Sequence, residues 1–131
     1  MSVESTRAVM TAYLDHDDLS RVAENAVYRV MGTGYEAMGR DGVRQLLRHF
    51  YQEAFDARAQ TRNLIYAEDH AVLEADFIGK HIGNFAGIEP TGRMISVPLC
   101  VVYDLAGDQI TQARLYFETD SLFRQLRGAF I

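Results

Sequence analysis

The chain has a single cysteine, Cys100, so no disulfide can form within it, and nothing in its thiol content calls for an oxidising compartment. It has only two prolines, Pro90 and Pro98, and no low-complexity segment, linker or internal repeat. No apolar stretch approaches the roughly 18 residues that a membrane-spanning helix needs. Met1-Ser2-Val3-Glu4-Ser5 lacks the basic start and apolar run of a secretory leader. The net charge is -5 and the arginines are scattered, whereas a nucleic-acid surface gathers basic residues on one face. There is no phosphate loop, no serine nucleophile elbow and no shared ligand spacing among His16, His49, His70 and His81. The expectation is a single soluble, cytoplasmic domain of 131 residues with no nucleic-acid or membrane partner, no metal and no other cofactor. Its function must then come from other side chains.

What is present is organised around residues 79–93, Gly79-Lys80-His81-Ile82-Gly83-Asn84-Phe85-Ala86-Gly87-Ile88-Glu89-Pro90-Thr91-Gly92-Arg93. Its four glycines and Pro90 supply the backbone angles of a wide reversal, so it reads as the turn of a hairpin. Apolar strand patterns flank it at 71–78 and 94–103, a third follows at 110–118, and 58–67 comes before, which together make a meander.

Upstream, Val3, Val9, Met10, Tyr13 and Leu14 predict a first helix over 3–14 with Ser2 in the N-cap position. A short second helix is expected at Leu19–Ala23, then a strand over 26–31. A third helix, capped by Asp41, presents Val43, Leu46, Leu47, Phe50, Ala54 and Phe55 on one face. Asp120 or Ser121 would cap a short terminal helix carrying Leu122, Phe123 and Leu126. Helices followed by antiparallel strands predict an α+β domain with its helices on one face of the sheet.

The run G-x-H-x-G-x-F-x-G-I-x-P-T-G-R at 79–93, the turn from Asp104 to Ile110, and the Gln125-Leu126 ending resemble the SnoaL-like polyketide cyclase or ester cyclase group of the nuclear transport factor two-like superfamily, over residues 5–127. The resemblance implies a curved antiparallel β-sheet wrapped around helices to form a cone with an internal pocket, and a homodimer. The apolar Val102, Tyr116 and Pro98 on the outer faces of their strands also point to a partner surface.

Alternation assigns Val97, Leu99, Val101 and Tyr103, and Ala113, Leu115 and Phe117, to the inside. The cyclases this chain resembles keep an aspartate base on the last strand, where this sequence has Leu115, and polar partners of that base where it has Leu99 and Val101. The acidic and basic set of limonene-epoxide hydrolases would fall on Ile78, Asp76 and Leu115. The base and second acid of ketosteroid isomerases would fall near Thr33 and on Leu99. Hydrolysis of epoxides is therefore not expected. Tyr13 matches the oxyanion tyrosine of the isomerases, and Tyr28 matches a water-binding tyrosine of the hydrolases.

The candidate catalytic set is thus Asp76, Tyr13 and Tyr28, with Asp76 moving a proton while the two phenols hold a developing oxyanion. Period two also allows the opposite reading, in which Glu74, Asp76 and Lys80 form a solvated strand face and Ala75, Phe77 and Gly79 pack inward. Met31, Phe50, Leu99, Val101, Leu115 and Phe117 are the expected substrate-binding wall. Three functions fit. One is a cofactor-independent cyclase or isomerase for an apolar, oxygenated, polyketide- or terpenoid-like molecule; the others are a non-catalytic carrier and a cyclase that acts by cavity shape alone.

Overall fold

Ser2 caps the first helix, as its side chain dictates: its Oγ accepts the Ser5 N–H at 3.1 Å, and α1 runs Val3–His16. The computed structural model describes residues 2–128. Thr6, Val9, Met10 and Tyr13, at i, i+3, i+4 and i+7, form the buried face of α1. Asp17 closes the helix in the left-handed region, φ 52° and ψ 34°, with its N–H bonded to the Ala12 carbonyl.

The expected helix at Leu19–Ala23 is only a 3₁₀ turn, Leu19–Arg21, capped by the Asp18 carboxylate. Val22 and Ala23 instead open β1 (Val22–Val30), where Val22 sits fully buried beside Ile110. Burial of a β-branched residue in a sheet outweighs weak local helix preference. A four-residue strand that the sequence pattern does not announce, β2 (Tyr35–Met38), then pairs antiparallel with β1.

Helix α2 (Gly39–Arg48) starts before Asp41, whose carboxylate lies in the first turn and pairs with Arg44 at 2.6 Å. A π-helical turn, His49–Glu53, extends α2, and Phe55 belongs to β3 (Phe55–Ala67) rather than to the helix. The meander continues through β4 (His70–His81), β5 (Met94–Ala106) and β6 (Gln109–Phe117), and α3 (Thr119–Leu126) follows. The N-cap of α3 is Glu118, with no side-chain capping bond, not Asp120 or Ser121.

The six strands lie in the order β2-β1-β6-β5-β4-β3, one curved open sheet with α1 and α2 on its concave side. It is antiparallel throughout except between β1 and β6, which run parallel with Tyr28 beside Ala113 and Val30 beside Leu115. The chain leaves β1 through β2 and α2, crosses to the far edge at β3, and returns strand by strand until β6 lands against β1 in the same direction.

The reversal after β4 hangs on His81, which is fully buried. Its N–H donates to the Arg93 carbonyl at 2.9 Å, its carbonyl accepts the Gly92 N–H at 3.0 Å, and its Nδ1 accepts the Thr91 N–H at 3.1 Å. Nδ1 is thereby unprotonated and the ring hydrogen sits on Nε2. Gly79 and Gly83 have ordinary φ values yet no room for a side chain: a Cβ on Gly79 would lie 2.7 Å from the Asp56 carbonyl oxygen, and one on Gly83 would strike the Glu53 carbonyl. Just past the reversal, near the start of β5, the Gln125 side-chain amide clamps the Ser96 backbone with two 2.9 Å bonds, which ties α3 to β5. Among the described residues no helix is long and apolar enough to cross a membrane.

Candidate functional site

Period two on five strands and the curl of the sheet create a cavity of about 730 Å³ between the concave face and the helices. Its apolar floor comes from Leu73 of β4, Leu99 and Val101 of β5, and Leu115 of β6. Tyr13 of α1, Tyr28 of β1, Tyr51 of the π-helical turn and Tyr103 of β5 line it with phenols. Its mouth carries Asp15 and Asp17 from the end of α1, Arg44, Arg48 and Gln52 from α2 and the turn after it, and Arg58 from β3.

The phenols are the polar content of the interior. Tyr28 Oη donates to Tyr13 Oη at 2.9 Å with both residues buried, which leaves the Tyr13 hydrogen to aim at a ligand. Tyr103 stands edge-on to both, with ring centroids 6.0 Å from Tyr13 and 6.5 Å from Tyr28. Burial pushes the Tyr13, Tyr28 and Tyr103 phenols well above the usual tyrosine range, and it pushes Tyr51 up to about 12. Near neutral pH these groups are therefore hydrogen-bond donors, not bases.

Of the residues singled out from the sequence, the fold brings Tyr13, Tyr28, Leu99, Val101 and Leu115 together around this cavity. Asp76 is not among them. Ala75 and Phe77 take the inward positions of β4, so Asp76 projects from the convex side, where its Oδ2 accepts from Arg62 Nε at 2.6 Å. It borders a separate, shallow groove of about 350 Å³ with Glu74, Pro98, Cys100, Tyr116 and Glu118. The Cys100 thiol in that groove is pushed up by burial and then by the Glu74 charge. The alternative reading of this strand, with Glu74 and Asp76 outside, is the correct one.

Three expected wall residues are also placed elsewhere. Met31 lies past the end of β1, 36 % exposed, with its N–H bonded to the Leu115 carbonyl. Phe50 and Phe117 stack on each other at 5.4 Å and pack edge-on against Phe77, so they build an aromatic core rather than the cavity wall. Tyr51 and Tyr103 were not singled out from the sequence. Tyr103 falls in the inward set of its strand, so alternation already held the signal; Tyr51 lies four residues after Leu47, on the helical stripe that the π-helical turn re-aims. Among the described residues no three His, Cys, Asp or Glu side chains are grouped to hold a metal ion.

No curated protein sequence matches this chain significantly. Solved structures do. A protein of Jannaschia sp. CCS1 with a provisional SnoaL-like polyketide cyclase name superposes with a TM-score of 0.84 at 16% identity, over 94% of this chain and 92% of its own. TsrD of Streptomyces laurentii gives 0.78 at 22% identity, over 99% of each chain. A Catenulispora acidiphila protein with a ketosteroid isomerase-like fold, solved with trimethylamine, gives 0.71 at 17% identity, over 97% and 95%. At these identities the likeness is one of fold, the open cone described above. The family model for SnoaL-like polyketide cyclase matches residues 8–126, nearly the whole length, and the chain belongs to that family.

Proposed function

We propose that this protein is a cofactor-independent cyclase or isomerase that binds an apolar, oxygenated small molecule of polyketide or terpenoid type and carries it through an enolate. The observation that carries the reading is the 2.9 Å bond from Tyr28 Oη to Tyr13 Oη above an apolar floor. A phenol oxygen that accepts a hydrogen bond becomes a stronger donor through its own O–H, and a donor in a water-poor site stabilises a nascent oxyanion far better than it would in water. A ligand carbonyl held by Tyr13 would thus meet its strongest interaction only as charge builds on oxygen, which is the condition for rate acceleration.

With an enolisable polycyclic ketone as substrate, Tyr13→Phe is expected to lower kcat by about 100-fold. Tyr28→Phe, which removes only the supporting bond, is expected to lower it by roughly 10-fold at nearly unchanged KM. Product formation by both variants at the wild-type rate would end this reading. A non-catalytic carrier is the second reading, favoured by the apolar Leu99, Val101 and Leu115 at the inner wall. Tight ligand binding with no product after prolonged incubation would select it.

We also infer a homodimer formed through the convex face of β4–β6, away from α1 and α2. Met94 is 62 % and Tyr116 44 % exposed there, beside the exposed Pro98 and the half-buried Val102. Light scattering at micromolar concentration is expected to give twice the mass of one chain, and a stable monomer would remove the inference.

A further inference from the structure

An enolate requires a group that takes the proton, and among the described residues the inner end of the cavity has none: its walls are leucines, valine and phenols, and Asp76 lies on the other side of the sheet. Among the described residues the only carboxylates bordering the cavity are Asp15 and Asp17, at the mouth beside Tyr13. Asp15 lies within the last turn of α1, whereas Asp17 is the residue that ends it, set at φ 52° by the bond from its N–H to the Ala12 carbonyl. No ion pair or hydrogen bond engages the Asp17 carboxylate among the described residues, in contrast to Asp18, which is spent on Ser20, and Asp41, which is spent on Arg44. The Asp17 charge also reaches the Tyr13 phenol, where it is one of the minor causes that hold that phenol's proton on.

We propose that Asp17 is the proton acceptor of this cavity, resting on the enolate reading above. Its carboxylate removes hydrogen from the carbon next to the carbonyl that Tyr13 holds, and the C–H electron pair moves into the enolate. In an isomerisation the same proton returns to a different carbon. In a ring closure the enolate carbon attacks a second carbonyl, and the proton goes to the alkoxide oxygen so formed. The substrate class is therefore a carbon acid whose activated C–H faces the mouth while its apolar body fills the floor. The charges sharing the mouth, Arg44, Arg48, Arg58 and Asp15, leave Asp17 an unpaired base at the entrance.

A short polar residue after a helix also has a purely structural use, since Asp and Asn both tolerate the left-handed backbone. That makes Asp17→Asn the informative change: it keeps the helix end and removes the base. The probe is 5-nitrobenzisoxazole, whose ring opens when a base removes its carbon-bound hydrogen and the N–O bond breaks to give a coloured phenolate. The wild type is expected to accelerate this opening beyond the same concentration of acetate. Asp17→Asn is expected to lose at least tenfold with its thermal midpoint unchanged, and Asp56→Asn, at an exposed carboxylate outside the cavity, to keep the wild-type rate. Tyr13→Phe slows the reaction by weakening support of the departing oxygen. Asp17→Asn at full rate with Tyr13→Phe slow would overturn the Asp17 assignment and leave the phenol reading standing. Indifference to both changes, or no acceleration by the wild type, would overturn the two together.

Discussion

Phe77→Ala is expected to cost about 4 kcal/mol of stability, read as a shift of the denaturant midpoint at constant slope. Phe77 is fully buried and touches four other rings: Phe50 at 6.2 Å, Tyr51 at 5.2 Å, Phe55 at 5.4 Å and Phe117 at 5.6 Å, all steeply inclined to it. These neighbours come from the π-helical turn, β3 and β6, so they belong to three separately anchored segments and cannot all move to fill the void. A cavity lined by ring edges loses both transfer energy and contacts, which places the change at the upper end of large-to-small substitutions. Phe77→Leu keeps most of the volume and is expected to cost about 1–1.5 kcal/mol. A Phe77→Ala cost no larger than that of Phe77→Leu would mean that the aromatic core repacks freely.

Raising the pH from 10 to 12 is expected to unfold the protein, with the phenolate absorbance rising in step with loss of the aromatic circular dichroism. In an unfolded chain a phenol ionises near pH 10. In the folded protein burial holds Tyr13, Tyr28 and Tyr103 far above that, and Tyr51 at about 12. Between the two values the unfolded state binds fewer protons than the native one, so stability is complete below about pH 10 and falls as the pH climbs beyond it. The two-unit gap of Tyr51 alone corresponds to about 3 kcal/mol once the pH passes its folded value, and the other three phenols add to it. Phenolate formation by this cluster with the fold intact would contradict the burial of these phenols.

Much of this arrangement is legible in the sequence, and the parts that are not have physical reasons. The inward set of β5 reads directly, because Val97, Leu99, Val101 and Tyr103 alternate with residues of lower apolar content and are all buried. Strand β4 is harder, since Val72 and Ile78 make its outer side partly apolar as well, and alternation alone then permits either face for Asp76. The mistaken role for Phe50 comes from helical phase: a π-helical turn adds one residue to its loop of backbone and turns Phe50 toward the aromatic core and Tyr51 toward the cavity. The strand start at Val22 depends on Ile110, a partner that no local window contains. Asp17 carries no motif at all, and its place at the cavity mouth follows only from how α1 ends.

The parallel seam between β1 and β6 has a consequence for how the protein comes into being. β6 lies between β1 and β5, so a chain emerging from the ribosome without it has two unjoined pieces of sheet and a row of bare hydrogen-bonding groups on each. Arg29 Nη1 and Gln112 Oε1, 2.9 Å apart in space, are separated by 83 residues of chain, and such distant pairings form late in folding. The Tyr28 rung, which pairs with Ala113, waits for that closure, so the cavity should take shape as an all-or-none event once β6 is in place. Until then both margins stay unpaired.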